Sequence, residues 1–252
     1  MGVCIIPHIA IGDTPPTPAS GKEIKLPKVE ELMRQYVLHY GWPFGYIQEQ
    51  VDTVFQQIVP VKNLESVQIS SSSVTELDLH TETAFHPYPP DYVFLLCLRG
   101  DPTAFTTYVN LDTILTKLGD TTQKVLRQPW YTTRIDTSFI LNGQEDKSIE
   151  MPIIRGEKQE TRIVYDRFLM RGVSTAAHKA LEELHQVIKN NTKKIALKSG
   201  ELMIIDNRKT VHGRLPFTPK YDGTDRWLMR TLVMKQLPSS EHMNGEIVTL
   251  AL

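Results

Sequence analysis

The stretch "LHTETAFHPY" (residues 79–88) places a histidine, a threonine and a glutamate in a row, with a second histidine four residues beyond the glutamate. On a strand, side chains alternate between faces, so Glu76, Asp78, His80 and Glu82 share one face and Leu77 and Leu79 the other. An imidazole and a carboxylate at a strand end make two arms of a metal site, or two polar groups on a solvated strand. A third arm has to come from elsewhere. In "LMIIDNRKTVHGRLPF" a strand runs into a polar turn, and His212 follows beside Gly213, where a neighbouring backbone can come close. Two imidazoles and one carboxylate would cover one face of an octahedral iron and leave three positions open, the donor set of non-haem Fe(II) oxygenases. Zinc accepts the same donors in hydrolytic sites, although the sequence shows no H-E-x-x-H helix and no base paired with a hydrolytic water. Further on, "DRWLMR" sets Arg226 and Arg230 on one strand face, about 13 Å apart at ~3.3 Å per residue. Buried guanidinium groups call for anions. Bound carboxylates would serve, and so would Asp222 and Asp225 if both arginines lie at the surface.

The elements that would position these groups are mostly short strands. Residues 1–12 read as a strand, and the proline-rich stretch 13–28 as an extended linker. The spacing of Val29, Leu32, Met33, Tyr36 and Val37 predicts a helix over 29–40, stopped by Gly41. "VFQQIVPV" (54–61), "VFLLCL" (93–98), "FTTYVNL" and "RWLMRTLVMK" (226–235) read as strands, the last as the final one, and "KIALKSGELMIID" as a hairpin. Two short helices follow "FTTYVNL", one capped by Asn110 and one opening at Asp120. "STAAHKALEELHQVIKN" is a longer helix capped by Ser174, with Ala177, Leu181, Leu184 and Ile188 as its buried stripe and His178 and His185 on its solvated side. Many short strands with a few packed helices make a mainly β fold, a barrel or sandwich with a helical buttress.

With 252 residues, 40% of them hydrophobic, and a formal net charge of −1, the chain can bury one sizeable core and has no basic surplus for a nucleic-acid backbone. No apolar run approaches the ~20 residues of a membrane span. Cys4 and Cys97 make no disulfide framework, and Cys97 inside "VFLLCL" reads as a buried reduced thiol, in keeping with a cytoplasmic setting. His86 has nothing to place it on the face of His80 and reads as a neighbouring or surface histidine.

The segments "HTETAFHPYPPDYVFLLCLRGD" and "DNRKTVHGRLPFTPKYDGTDRWLMR" resemble the clavaminate synthase-like Fe(II)/2-oxoglutarate-dependent oxygenases, a group that includes arginine and asparagine β-hydroxylases. The resemblance covers about residues 54–235, with both halves of the metal motif in order. It implies a double-stranded β-helix (jelly roll), with Fe(II), 2-oxoglutarate and O₂ as cofactor and cosubstrates. Carried over, His80, Glu82 and His212 are the iron ligands and the catalytic centre. Arg226 matches the clamp on the distal carboxylate of 2-oxoglutarate, and Thr107 in "FTTYVN" its helper hydroxyl. Arg230 matches the arginine that holds the substrate's α-carboxylate, Ser71 a serine of the loop beside it, and Gln50 in "YIQEQ" a residue at the α-amino group. Asp166 in "RIVYDRFLM" falls where an acid meets the substrate's side chain. The arginine hydroxylases carry a second acid two residues away; this chain has Val164 there. The expected activity is hydroxylation of an unactivated C–H of an amino acid, free or carrier-bound and polar or basic, with release of succinate and CO₂. Desaturation or cyclisation of an amino-acid-derived intermediate, and a jelly roll without catalysis, are the alternatives. Residues 1–252 would form one domain with a shorter N-terminal region than the family's, and a homodimer would be one way to supply what that region lacks.

Overall fold

The run "YVFLLCLR" forms strand β5 (Tyr92–Arg99). In the computed structural model, which describes residues 2–22, 24–49, 53–136, 139 and 149–250, Val93, Leu95 and Cys97 enter one core and Phe94, Leu96 and Leu98 another. A strand buried on both faces has no polar alternation to show, hence the continuous apolar run. β5 lies between β13 (Leu202–Asp206) and β15 (Trp227–Met234) in the larger of two main sheets. Beyond β13 comes β1 (Val3–Ile6). The other edge of β15 is shared by β3 (Gln56–Ile58) and β2 (Trp42–Tyr46), and β2 leads on to β17 (Ile247–Val248) and β16 (Met243–Asn244). All these pairings are antiparallel except that of β17 with β2.

The smaller sheet has the order β12 (Lys193–Ile195), β6 (Thr106–Asn110), β14 (Thr210–Arg214), β4 (Leu77–His80). It faces the larger sheet across a core in which Phe44, Leu95, Met203 and Leu228 meet Tyr108 and Ile195. Two antiparallel sheets closed face to face are the jelly roll that the resemblance implies. Helices buttress both outer faces. α1 (Pro27–Val37) lays Val29, Met33 and Val37 against Phe94, Leu96 and Trp227. α2 (Leu111–Lys117), α3 (Asp120–Leu126) and α4 (Thr175–Asn190) cover Val109 and Val211 on the back of the smaller sheet. Around them run β7 (Tyr131–Thr133), β8 (Ile149–Met151) and β11 (Met170–Gly172) as one small sheet, and β9 (Ile154–Arg155) with β10 (Arg162–Ile163) as another.

Several local expectations change. α1 ends at Val37, because Tyr40 turns onto the rings of Tyr92 and Phe94, each 5.3 Å away. Within 54–61 only Gln56–Ile58 is strand. "KIALKSGELMIID" is not a hairpin: β12 pairs with β6 in the smaller sheet, while β13 sits between β1 and β5 in the larger. β15 is followed by β16 and β17. Ser174 caps α4 by accepting from the Ala177 amide (3.2 Å), but Asn110 ends β6 packed against Gly2, and its side chain caps nothing. His185 is buried, with its ring 5.6 Å from that of Tyr165, so the covered face of α4 is wider than its aliphatic stripe. Cys97 is a fully buried free thiol. Among the described residues, no helix is long and apolar enough to cross a membrane.

Candidate metal centre

β4 and β14 are neighbours, with His80 opposite His212. Paired residues in an antiparallel ladder point the same way, so both imidazoles enter the space between the sheets, their ring centroids 4.7 Å apart. The register shifts just past His212, and Gly213 permits it: a Cβ there would lie 2.5 Å from the Leu77 carbonyl oxygen. Glu82 follows β4 by two residues. Its Oε2 is 3.5 Å from His212 Nε2 and 3.8 Å from His80 Nε2. Adjacent ligands bound at ~2.0–2.2 Å lie somewhat closer together than this, so a metal ion fits with small side-chain adjustments. His80 Nδ1 is 2.7 Å from the Asp78 carbonyl, which fixes its proton there and turns Nε2 toward Glu82. Among the described residues, His80, Glu82 and His212 are the group whose ligand atoms converge, all within 4.8 Å.

The electrostatics suit a bound cation. Burial alone would lower the His80 imidazole, but the Glu82 carboxylate, with Asp166 behind it, lifts it to about 9. His212 moves down, because it is buried and faces the charge on His80. Burial would raise the Glu82 carboxyl, yet Arg230 and the two imidazoles hold it well below the usual range. One carboxylate thus serves two imidazoles on one oxygen. Its other oxygen, Oε1, accepts from Arg230 Nη1 at 2.8 Å. That division leaves Oε2 as a single ligand atom.

These groups line a cavity of about 340 Å³ between the sheets, with Ile58, Phe85, Val93, Leu95 and Leu228 as apolar wall. Arg226 and Arg230 both face it, on either side of Leu228, and Trp227 points into the opposite core. Arg226 is 7% exposed, and burial brings its guanidinium down to about 10. Its Nη2 donates to Thr106 Oγ1 at 3.1 Å, and no carboxylate among the described residues forms an ion pair with it. Arg230 differs from the expectation of an externally paired arginine. It donates to Glu82, to Glu49 Oε1 (2.7 Å) and to Gln56, and the two carboxylates raise its pKa against the effect of burial.

The other anticipated site residues are placed unevenly. Asp166 lines the cavity and forms a β-bridge with His80; its Oδ1 accepts from the amides of Phe168 (2.8 Å) and Leu169 (2.7 Å), and burial raises its carboxyl. Val164 is buried in the helical-side core. Thr107 does not reach the cavity: it pairs with Gly213 on the reverse face of β6, whereas Thr106 faces inward beside Arg226. Ser71 is off the lining, where Ser70 stands instead. Gln50 lies outside the described residues, and the neighbouring Glu49 lines the cavity. His86 is buried against Tyr46 (4.5 Å between ring centroids), accepts from the Tyr88 amide, is pushed down to about 4 by burial, and is no part of the triad. Three further residues had drawn no attention in sequence. Asp136 enters the cavity alongside Asp166, Glu49 holds Arg230, and Arg214 ties Ser72, Ser73 and Thr75 to the sheet.

Residues 21–232 match the family described as taurine catabolism dioxygenase TauD, TfdA family. The L-lysine 3-hydroxylase of Catenulispora acidiphila is 35% identical over 239 residues, covering 90% of this chain and 65% of that protein. The L-asparagine oxygenase of Streptomyces coelicolor is 39% identical over 205 residues, covering 81% of this chain and 61% of that protein. This chain therefore spans less than two thirds of the length of either relative. The crystal structure of an asparagine oxygenase with Fe(II), (2S,3S)-3-hydroxyasparagine and succinate superposes with a TM-score of 0.87 at 35% identity, covering 99% of this chain and 80% of that one. With a family match over most of its length and the same fold, the chain belongs to the TauD/TfdA dioxygenase family.

Proposed function

We propose that this protein is an Fe(II)/2-oxoglutarate-dependent oxygenase that hydroxylates an unactivated C–H of an amino acid with a polar or basic side chain. The observation that carries the reading is the convergence of His80, Glu82 and His212 in one cavity with the buried Arg226, which forms no ion pair with a carboxylate among the described residues. His80, Glu82 and His212 would hold the iron through two Nε2 atoms and Oε2. Bound there, Fe(II) with 2-oxoglutarate and O₂ supplies the oxidation, which releases succinate and CO₂ and leaves a hydroxyl on the substrate. Arg226, desolvated and in no ion pair with a carboxylate among the described residues, binds the distal carboxylate of the oxo acid, and the Thr106 hydroxyl holds its fork in place. Arg230 and Glu49, a cation and an anion side by side, match the α-carboxylate and α-ammonium of a zwitterionic substrate. Ser70 lines the same cavity, with Ser71 next to it in sequence, and Gln50 follows Glu49. Asp166 and Asp136 face the substrate's side chain from the opposite wall. Phe85, Leu95 and Leu228 keep bulk water from the reacting carbon. An asparagine oxygenase and a lysine hydroxylase among the relatives support an amino-acid substrate.

A succinate-release screen over the standard amino acids, with mass spectrometry of each hit, tests this reading. One or more amino acids should stimulate succinate formation and gain a single oxygen atom, and His212→Ala should abolish both. Turnover in His212→Ala equal to wild type would remove the triad from the chemistry.

A further inference from the structure

β4 ends at His80, backbone pairing continues only to Thr81, whose amide donates to the Tyr165 carbonyl, and among the described residues no strand pairs with Glu82 itself. The backbone there is held by something else. Asn207, 3% exposed in the turn after β13, accepts from the Glu82 amide through Oδ1 (2.7 Å) and donates to the Glu82 carbonyl through Nδ2 (3.2 Å). One side-chain amide thus satisfies both main-chain groups of the residue, as a neighbouring strand would. Asn207 is itself fixed. Its Nδ2 also donates to the Pro90 carbonyl (3.0 Å), and its own amide to the Asp91 carbonyl (2.9 Å), tying it to the start of β5.

A second tether acts on the other side. Thr83 has φ of +46°, a left-handed conformation that a β-branched residue rarely takes. The Tyr46 hydroxyl donates to the Tyr88 carbonyl at 2.7 Å, so its oxygen is free to accept from Thr83 Oγ1 at 3.0 Å. Tyr46 is fully buried between Phe44 and Phe139 and cannot follow a moving turn. The reversal of the chain at Thr83 is therefore held in place, and it sends Glu82 back toward the two imidazoles.

We infer that Asn207 and Thr83 are positioning residues for the metal centre, acting through the main chain of Glu82 to aim its carboxylate at the point between His80 and His212. The inference rests on the metal reading of the triad. Isosteric side chains at Glu82 would then bind metal only as well as this clamp allows.

The test titrates Co(II) into wild type, Asn207→Ala and Thr83→Gly without oxygen, follows the metal's visible absorption, and records thermal midpoints of the metal-free proteins. Loss of a group that orients a ligand typically weakens metal affinity ~10- to 100-fold, and that is the expectation for Asn207→Ala. Thr83→Gly separates aim from stability. Glycine takes positive φ freely, so a merely structural role predicts an unchanged or higher midpoint with unchanged Co(II) affinity. The positioning role predicts the same midpoint with affinity weakened about 10-fold, the low end of that range. Wild-type affinity in Thr83→Gly and in every folded preparation of Asn207→Ala would overturn the inference. Failure of wild type itself to bind Co(II) would overturn the metal reading, and the inference with it.

Discussion

If the proposed function holds, replacing Arg226 with alanine should cost the protein its hold on 2-oxoglutarate while leaving its fold intact. The guanidinium is 7% exposed, and within the described residues its single side-chain partner is the Thr106 hydroxyl. A carboxylate arriving there meets a cation already stripped of water. Removing one partner of such a pair costs ~2–5 kcal/mol, or ~30- to 4,000-fold at 1.4 kcal/mol per tenfold. With Thr106 still present, about 100-fold is the expected loss. The fold gains something in return, since a buried cation without a counterion is itself unfavourable. Ligand-linked stability makes the contrast measurable. At 100 times its dissociation constant, 2-oxoglutarate stabilises wild type by ~2.7 kcal/mol. The same concentration, now only equal to the variant's constant, gives ~0.4 kcal/mol. For a domain of this size each kcal/mol moves the thermal midpoint by ~2–4 °C. Thermal melts with Co(II), without oxygen and with or without 2-oxoglutarate, should then show a shift of ~5–11 °C in wild type and ~1–2 °C in Arg226→Ala. Equal shifts in the two proteins would refute the clamp, whatever the variant does to turnover.

Other perturbations separate the two ends of the cavity. Thr106→Val should raise the KM for 2-oxoglutarate ~5- to 10-fold, one hydrogen bond at ~1 kcal/mol, and Thr107→Val should leave it unchanged; the reverse ranking in steady-state assays would show the inward face of β6 to be misassigned. Arg230→Lys keeps the charge but cannot bridge Glu82 and Glu49 with one planar fork. The KM for the amino acid should rise ~10- to 100-fold, in line with ~1.5–3 kcal/mol for a charged hydrogen bond, with that for 2-oxoglutarate moving far less. Comparable increases in both would count against a separate substrate subsite. Asp166→Asn preserves an acceptor for the Phe168 and Leu169 amides while removing the charge. Succinate release with lysine, ornithine and arginine should fall relative to asparagine and glutamine, and an unchanged ranking would take Asp166 out of side-chain recognition.

What was legible in the sequence divides along a physical line. α4 and β5 announce themselves because their apolar periodicity is local and needs no partner to interpret. His80 and Glu82 are legible as a pair because their spacing fits one strand face, and His212 joined them through its turn, its glycine and the family resemblance. The misplacements are of another kind. Thr107 stood for Thr106 and Ser71 for Ser70, each one residue from the side chain that lines the cavity, and Glu49 lines it next to Gln50. "FTTYVN" offers the same hydroxyl at consecutive positions, and along a strand a one-residue step moves a side chain to the other face, whereas Ser70 and Ser71 lie in a turn that has no alternation to tell them apart. Which phase is realised depends on long-range pairing: β14 sets Arg214 opposite Thr106 and Gly213 opposite Thr107. The triad escaped this ambiguity because a histidine followed at two residues by a glutamate has only one phase in which both point inward. Asp136 has the opposite difficulty, since it follows β7 where there is no alternation to read, and only its place on the cavity wall brings it near Asp166. Residue identity therefore marked the candidate metal centre, whose donors are chemically scarce, whereas the rest of the cavity wall is built from common side chains whose meaning comes from the fold behind them.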